Sequence, residues 1–584
     1  NSFQGIPYAK PPIGKRRFKN PKPAKPWQGI LNATQVGSAC PQYDRLYLDK
    51  FYGEEDCLFL NIYVPKHNCH EHLPVLINIH GGGFLVGDGS PLLYGPDYFM
   101  KAGIILVTLN FRLGALGFLS LYNSAVPGNA GLKDQVLAFK WVKQNIAKFG
   151  GDENKITIQG QGSGGASVIY HILSPMSKGL FNNAITQSGS ALAPWALQKH
   201  PENNAQKLAQ ILGIRNSTNI ATFLKTISVK DIVLAAQSTV FDDQVKLTFV
   251  PTIEKVQHYN QHHSYNNPFI TSAPIDILKS GKINKVNVIL GLTTNDGVLY
   301  LTKQFLSPMN SEAIINDCLP DMRSFIPDEI LTKCGENETM EIETKILRKY
   351  FPESRNITDS LINLYNDVSF VKNHMTTVQL LAKFSTVWIF KYQFTGQKDI
   401  TRLTSGLNYT GTGYNDFLAY MFDVQFDGIN QINESAIDVL TGQRIMEMTK
   451  NFILYSNPTP VSTPLIDMIW KPVSENYITG LDYSNNYTTN SVPYTDVLKF
   501  WDELDKICYN NETITPSFEV VVEPGNCNCN CNGRSCEHGK GVERNNGYLY
   551  NIYHMFSGNS QGKKHGKENI ILHYLSLQIS RFFK

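Results

Sequence analysis

The stretch "KITIQGQGSGGASVIYH", Lys155 to His171, decides how this chain folds. Ile156 to Gln159 read as a β-strand, Gly160 to Gly164 as a tight glycine corner, and the residues beyond as a helix. A strand–Gly-x-Ser-x-Gly–helix corner is where a strained turn lifts a nucleophilic serine above the end of a sheet. Here the corner reads Gly160-Gln161-Gly162-Ser163-Gly164, and the middle position is Gly162. Either a serine is displaced by one residue, or the corner has lost its nucleophile.

Outward from the corner, apolar β-rich runs alternate with helical patterns. Pro74–Ile79, Gly103–Asn110, Asn183–Gln187, Asn287–Gly291 and Trp388–Phe394 read as buried strands. Leu132–Gly150 has helical spacing and a terminal glycine. This alternation predicts an α/β fold, a large and mostly parallel sheet with helices on both faces. Ligands of such sheets sit beyond the carboxyl ends of the strands.

The chain has 584 residues, 42% hydrophobic and 18% charged, enough for a large buried core. Its net charge of +3 is spread thinly, so no basic stripe argues for nucleic acid. No run of 18 apolar residues marks a transmembrane helix. Ten cysteines and eight Asn-x-Ser/Thr sequons favour a secreted or extracellular glycoprotein. The sequon asparagines are Asn32, Asn216, Asn337, Asn356, Asn408, Asn433, Asn486 and Asn511. No motif calls for a cofactor or a metal in the main body.

The α/β pattern ends near Asp496–Glu512, so residues 1–512 read as one domain and 513–584 as an appended tail. The tail holds "CNCNCNGRSC", with Cys527, Cys529, Cys531 and Cys536. A disulfide cluster, an unstructured loop and a soft-metal site are the three readings of that run. Gly533–Lys584 carries eight Lys/Arg against three Asp/Glu, a local net of +5. Leu572, Leu575, Ile579 and Phe582 form a helical stripe in Glu568–Lys584, which suits a docked helix, a disordered end or a membrane-surface helix.

Seven stretches then line up in one order: Gly5–Lys19, Glu54–Pro65, His80–Phe84 ("HGGGF"), Asn110–Ser120, Gly128–Val142, the glycine corner, and Leu180–Ala196. Together they resemble the type-B carboxylesterase/cholinesterase family, especially its arthropod-like secreted members, from the first residue to about residue 508. The resemblance implies an α/β-hydrolase fold and a disulfide between Cys40 and Cys57. Cys318 and Cys334 enclose a short loop and form the expected second pair; Cys69 and Cys508 have no partner legible in the sequence. The family usually has one or two further strands before the first motif, so the chain reads as shortened at that end.

Ester hydrolysis needs an activated hydroxyl, a base, an acid that orients the base, and donors for the oxyanion. By the resemblance, Gly81, Gly82 and Ser163 offer backbone N–H groups for the oxyanion. The nucleophile position is Gly162, which has no side chain. The Ser163 hydroxyl, one residue on, falls in the first helical turn, where capping or packing is its expected role. The base position, in "GTGYNDFLAYMF", is Tyr414, because Asp416, Leu418, Tyr420 and Phe422 match the family pattern around it. A phenol with an ordinary pKa near 10 is a poor base at neutral pH. His262 and His263 lie in a polar stretch that reads as solvated surface. The acid position is Asp296 where relatives usually carry Glu, and two readings stand: a hydrogen-bond acceptor for Tyr414, or a solvated loop carboxylate.

Two of three triad positions are therefore lost. In a well-studied protease, loss of the serine or the histidine alone costs roughly a million-fold in turnover. The expectation is a secreted, non-catalytic, cholinesterase-like protein. The resemblance extends to neuroligins, neurotactin, gliotactin and glutactin, non-catalytic members that act through extracellular protein contacts, and it therefore implies an extracellular protein partner. The alternatives are a carrier of an apolar small ligand in the former gorge and a carboxylic ester hydrolase with an unrecognised nucleophile. A homodimer is among the assemblies the family forms.

Overall fold

In the computed structural model the described residues are 1–44, 49–66, 72–214, 219–239, 245–256, 267–302, 319–352, 356–425, 429, 431–474, 478–484, 487–491 and 495–508. The tail 513–584 and its cysteines, Cys69, Cys318, His262, His263, Asn216, Asn486 and Asn511 lie outside them. Compactness divides the chain into two units. One comprises Asn1–Phe305 and Ile362–Trp501; the other comprises Leu306–Leu361 and Asp502–Lys584.

The first unit is built on a ten-stranded sheet in the order β1-β4-β6-β5-β7-β8-β9-β10-β11-β12. Its strands are β1 (Ser2–Pro7), β4 (Phe59–Tyr63), β5 (Leu73–Ile79), β6 (Ile105–Leu109), β7 (Gly151–Gln161), β8 (Asn183–Gln187), β9 (Asn287–Thr293), β10 (Val387–Tyr392), β11 (Thr479–Tyr483) and β12 (Thr488–Ser491). From β6 to β11 every neighbouring pair is parallel. The outer strands β1, β4 and β12 pair antiparallel. Two short strands, β2 (Gln42–Asp44) and β3 (Lys50–Tyr52), make a separate ribbon.

The central strands are covered on both faces, which is why β6 and β8 are buried at every position, β6 as an apolar run broken only by Thr108 and β8 with Asn183, Thr186 and Gln187 buried too. The helix foreseen at Leu132–Gly150 runs Ala130–Asn145 and continues as a 3₁₀ turn, Ile146–Phe149. Gly150 stops it with φ +82°, a left-handed geometry that glycine adopts without penalty.

The loop after β10 is anchored by an aromatic core. Phe417 packs on Tyr392 and Phe390 with ring centroids 5.0 and 5.1 Å apart, and Tyr420 packs on Phe394 at 5.6 Å. Tyr420 also donates from its hydroxyl to Asp438 Oδ1 at 2.7 Å. Asp438 in turn closes a capping box with Ser435 at the start of helix Ala436–Tyr455. Asp416 accepts from the backbone N–H groups of Thr401 (2.7 Å) and Gly413 (2.5 Å). The residues that flank the base position thus hold the loop whatever occupies residue 414.

Cys40 and Cys57 form a disulfide. The second expected pair does not form: Cys334 is bonded to Cys508, 174 residues away. Helix Thr495–Ile507 ends at Cys508 and delivers it next to Cys334, with Cα atoms 5.0 Å apart. Both cysteines belong to the second unit. A short loop in sequence is thus outbid by a long one closed by folding.

Candidate functional site

Gly162 stands between the end of β7 and helix Ser163–Leu173, with φ +55° and ψ −117°. This is the strained backbone of a nucleophile elbow, and glycine enters it at little cost. The turn is tight because Gly160 faces the Gly164 backbone: a Cβ on Gly160 would lie 2.3 Å from the Gly164 carbonyl carbon.

The sheet brings the other expected positions to the same end. Gly81, Gly82 and Gly83 follow β5, Asp296 follows β9, and Tyr414 lies in the loop after β10. Tyr414 is 8% exposed. Its hydroxyl fills the space above the elbow: a Cβ built on Gly162 would sit 1.4 Å from Tyr414 Oη and 2.7 Å from Cζ. A serine at 162 and a tyrosine at 414 therefore exclude one another in this arrangement. Gln161 fastens the two elements by donating to the Tyr414 carbonyl (2.5 Å) and to Asn415 Oδ1 (2.9 Å).

Asp296 is fully buried, so the reading as a solvated loop carboxylate is corrected. Its carboxylate accepts from Thr293 Oγ1 (2.7 Å), Ser188 Oγ (2.8 Å) and the Thr293 N–H (3.2 Å). Burial pushes its pKa up to about 7, against the lowering effect of the Thr293 and Ser188 hydrogen bonds.

The glycine loop is occupied differently from expectation. The Gly81 N–H donates to Tyr94 Oη at 3.2 Å, so this one of the three expected oxyanion donors is already engaged. The Tyr94 phenol folds back over the loop, a contact for which the sequence gives no periodic signal. Beneath the loop, His80 stacks on Phe111 with centroids 4.4 Å apart and places Nδ1 2.8 Å from the Gly81 carbonyl. Burial lowers the His80 pKa, which favours the neutral ring.

Ser163 is 1% exposed. The N-cap residue is Gly162, without a side-chain cap, so of the two roles expected for Ser163 capping is not taken up, and its burial agrees with packing. Its Oγ has no hydrogen-bond partner among the described residues.

A cavity of about 270 Å³ opens over these groups, and Gly82, Gly83, Ser163 and Tyr414 all line it. Its apolar wall includes Trp195, Leu247, Tyr300 and Phe370. Phe370 is placed by a π-helical turn, Asp367–Val371, a distortion found often at functional sites. Trp195 is held by its Nε1–H, which donates to the Ser369 carbonyl at 3.0 Å. Sequence reading missed Phe370 and Tyr94; Trp195 lies inside a motif stretch but carried no role there. Asp44 and Asp88 also line the cavity. Burial, and after it the neighbouring Asp88 and Asp44 carboxylates, raises the pKa of the Tyr52 phenol, which donates to Asp88. Among the described residues no cluster of three metal-ligating side chains occurs, and no helix is long and apolar enough to cross a membrane.

The sequence profile of the Carboxylesterase family matches residues 1–501. The chain is 33% identical over 481 residues to juvenile hormone esterase of Tribolium castaneum, covering 79% of this chain and 80% of that protein. It is 36% identical over 423 residues to venom carboxylesterase-6 of Apis mellifera, covering 70% and 74%. The crystal structure of juvenile hormone esterase from Manduca sexta, with OTFP covalently attached, superposes with a TM-score of 0.75 at 28% identity, over 86% of this chain and 94% of that one. A sheet with the elbow after β7, the glycine loop after β5 and the third and fourth positions after β9 and β10 is an α/β-hydrolase, and with these matches the chain belongs to the carboxylesterase family.

Proposed function

We propose that this chain is a non-hydrolytic member of the carboxylesterase family that works by binding. One observation carries the reading: the Tyr414 hydroxyl stands 1.4 Å from where a nucleophile's Cβ would be, and residue 162 has no side chain to contest the place. The two residues fit each other and neither fits the triad. Asp296 has no imidazole from residue 414 to orient, and its carboxylate is engaged by Thr293 and Ser188.

The role follows the non-catalytic relatives named above, through contacts with an extracellular protein partner. Secretion and glycosylation belong to the same proposal. They are supported by the two disulfides. The five sequon asparagines among the described residues (Asn32, Asn337, Asn356, Asn408 and Asn433) are all exposed. A second reading, a carrier of an apolar small molecule, is favoured by the cavity that survives over the elbow.

The competing reading is a carboxylic ester hydrolase, in keeping with the names of the relatives. Turnover of a chromogenic short-chain ester separates them. The proposal expects background rates for the native chain and a measurable gain when Gly162→Ser and Tyr414→His are introduced together. Saturable, rapid turnover by the native chain would refute it.

A further inference from the structure

We propose that the cationic surface formed by Lys15–Lys25 and Lys225 is a docking site for a sulfated polysaccharide chain of the glycosaminoglycan kind. This rests on the extracellular part of the reading above, because such chains lie outside cells, and it adds a carbohydrate partner to the protein one.

The first observation is local charge. The whole chain has a net charge of only +3, yet Asn1–Tyr43 holds seven Lys/Arg and no Asp or Glu. Of these seven, only Arg17 is neutralised by a carboxylate among the described residues, that of Glu55. Lys15, Lys19, Lys22 and Lys25 are exposed. The Arg16 Nε–H donates to the Pro11 carbonyl at 2.7 Å, a bond that leaves its charge uncompensated.

The second observation is that folding gathers these cations. The Lys10 N–H donates to the Lys22 carbonyl at 2.8 Å and the Ala24 N–H to the Tyr8 carbonyl at 3.2 Å, so residues 8–10 run against 22–24. The turn between them carries Lys15, Arg16 and Lys19, and the Lys19 N–H closes it on the Arg16 carbonyl at 3.1 Å. Helix Ile220–Thr226 packs on the same turn, because Arg17 Nη1 donates to the Leu224 and Ile227 carbonyls at 3.1 and 2.8 Å. The helix brings a further cation, Lys225. Burial, and after it the charge of Lys19, lowers the Lys225 pKa. Two remote segments thus set like charges against each other, and no carboxylate among the described residues pairs with either. A polyanion supplies the missing counter-charge.

The residue types and their surroundings choose among polyanions. Lys15, Lys19, Lys22, Lys25 and Lys225 are point charges that impose no bidentate geometry, which suits a repeating anion rather than a single phosphate. A flexible sulfated chain can follow the turn and the neighbouring helix together. A membrane fits less well. Ile30 is fully exposed, but the sequon Asn32 stands two residues beyond it, and a glycan there would hold a bilayer away.

Isothermal titration of the full chain with a heparin decasaccharide, in salt of about 0.15 M, tests the proposal. The same decasaccharide stripped of sulfate but keeping its carboxylates is the control. The sulfated form is expected to bind at least about tenfold more tightly than the control. Lys19→Ser, Lys22→Ser and Lys25→Ser together are expected to weaken it about tenfold or more. Lys563→Ser, Lys564→Ser and Lys567→Ser remove the same charge from the basic tail and are expected to change the affinity less than about twofold. Thermal melts of both triple variants verify that the fold is intact. No binding of heparin, equal affinity for the desulfated form, or an equal loss in the two triple variants would each overturn the assignment. Binding to phosphatidylserine vesicles that the first triple variant abolishes, with heparin binding unchanged, would give the surface to a membrane instead. Failure of the titration leaves the non-hydrolytic and extracellular readings standing. A chain retained inside a secreting cell and free of glycans would end the extracellular reading without altering the titration.

Discussion

Two sets of motif residues in the same sheet unit have fared differently. One set joins the loops. Arg17, in the first motif, meets Glu55, in the second, through two hydrogen bonds of 2.6 Å. Arg112 meets Asp134 in the same paired fashion at 2.8 and 2.7 Å, and Asp134 also accepts from the Arg112 N–H at 3.1 Å. The other set surrounds the elbow, where Gly162 and Tyr414 stand at the positions that the proposed function assigns to a nucleophile and its base. The framework pairs are intact, whereas on the proposed reading the reacting groups are gone. On that reading fold and chemistry are separable here: the first depends on buried partners that punish loss, the second only on groups that meet a substrate.

The largest expected effect lies on the framework side. Asp134→Asn leaves the Arg112 guanidinium buried beside a neutral amide, and about 3–5 kcal/mol of stability should be lost. Urea unfolding measures it, and a loss below about 1 kcal/mol would erase the contrast. The elbow responds less, and conditionally. Gly162→Ser alone forces a Cβ against Tyr414 Oη at positive φ, and about 1–3 kcal/mol should be lost. Adding Tyr414→His should recover most of it, and a double-mutant cycle reads the coupling.

Most of this contrast was legible in the sequence, for a physical reason. A glycine corner between an apolar strand and a helix has few alternative structures, so the sheet, the elbow and the position of Gly162 could be placed from residues alone. Tyr414 could be placed through the family resemblance, because Asp416, Leu418, Tyr420 and Phe422 match its pattern, and in the fold Asp416 and Tyr420 anchor the loop by hydrogen bonds of their own. What escaped depends on distances between remote segments. The hydroxyl of Tyr414 above Gly162, the Tyr94 contact to Gly81 and the Cys334–Cys508 bond join residues that no spacing rule connects. The burial of Asp296 escaped as well, since a carboxylate in a Thr- and Asn-rich turn looks solvated until Ser188 is seen to cover it.

Asp296 also gives the contrast a pH signature. Its pKa, near 3.9 in an unfolded chain, is raised to about 7 by burial. Between those values the native state holds a proton that the unfolded state has released. Stability from this group is therefore present at acidic pH and falls as pH rises from about 4 to 7, with a slope of at most about 1.4 kcal/mol per pH unit. Asp296→Asn should flatten that part of the profile. Burial likewise raises the pKa values of Asp399 and Asp416, so a residual slope of the same sign should persist in the variant. A stability profile that rises between pH 4 and 7 in the native chain and is unchanged in the variant would contradict the assignment. The smallest effect belongs to Ser163→Ala. Removing an unpaired buried hydroxyl should leave stability unchanged or raise it by up to about 1 kcal/mol.

The most direct measurement is exposure of the native chain to a fluorophosphonate probe, followed by peptide mapping and a parallel count of ester turnovers. With no side chain at residue 162 and a buried, non-activated hydroxyl at Ser163, the result predicted is no adduct on the elbow peptide and no turnover above background. Rapid adduct formation on Ser163 that abolishes a real, multiple-turnover esterase activity would contradict the account.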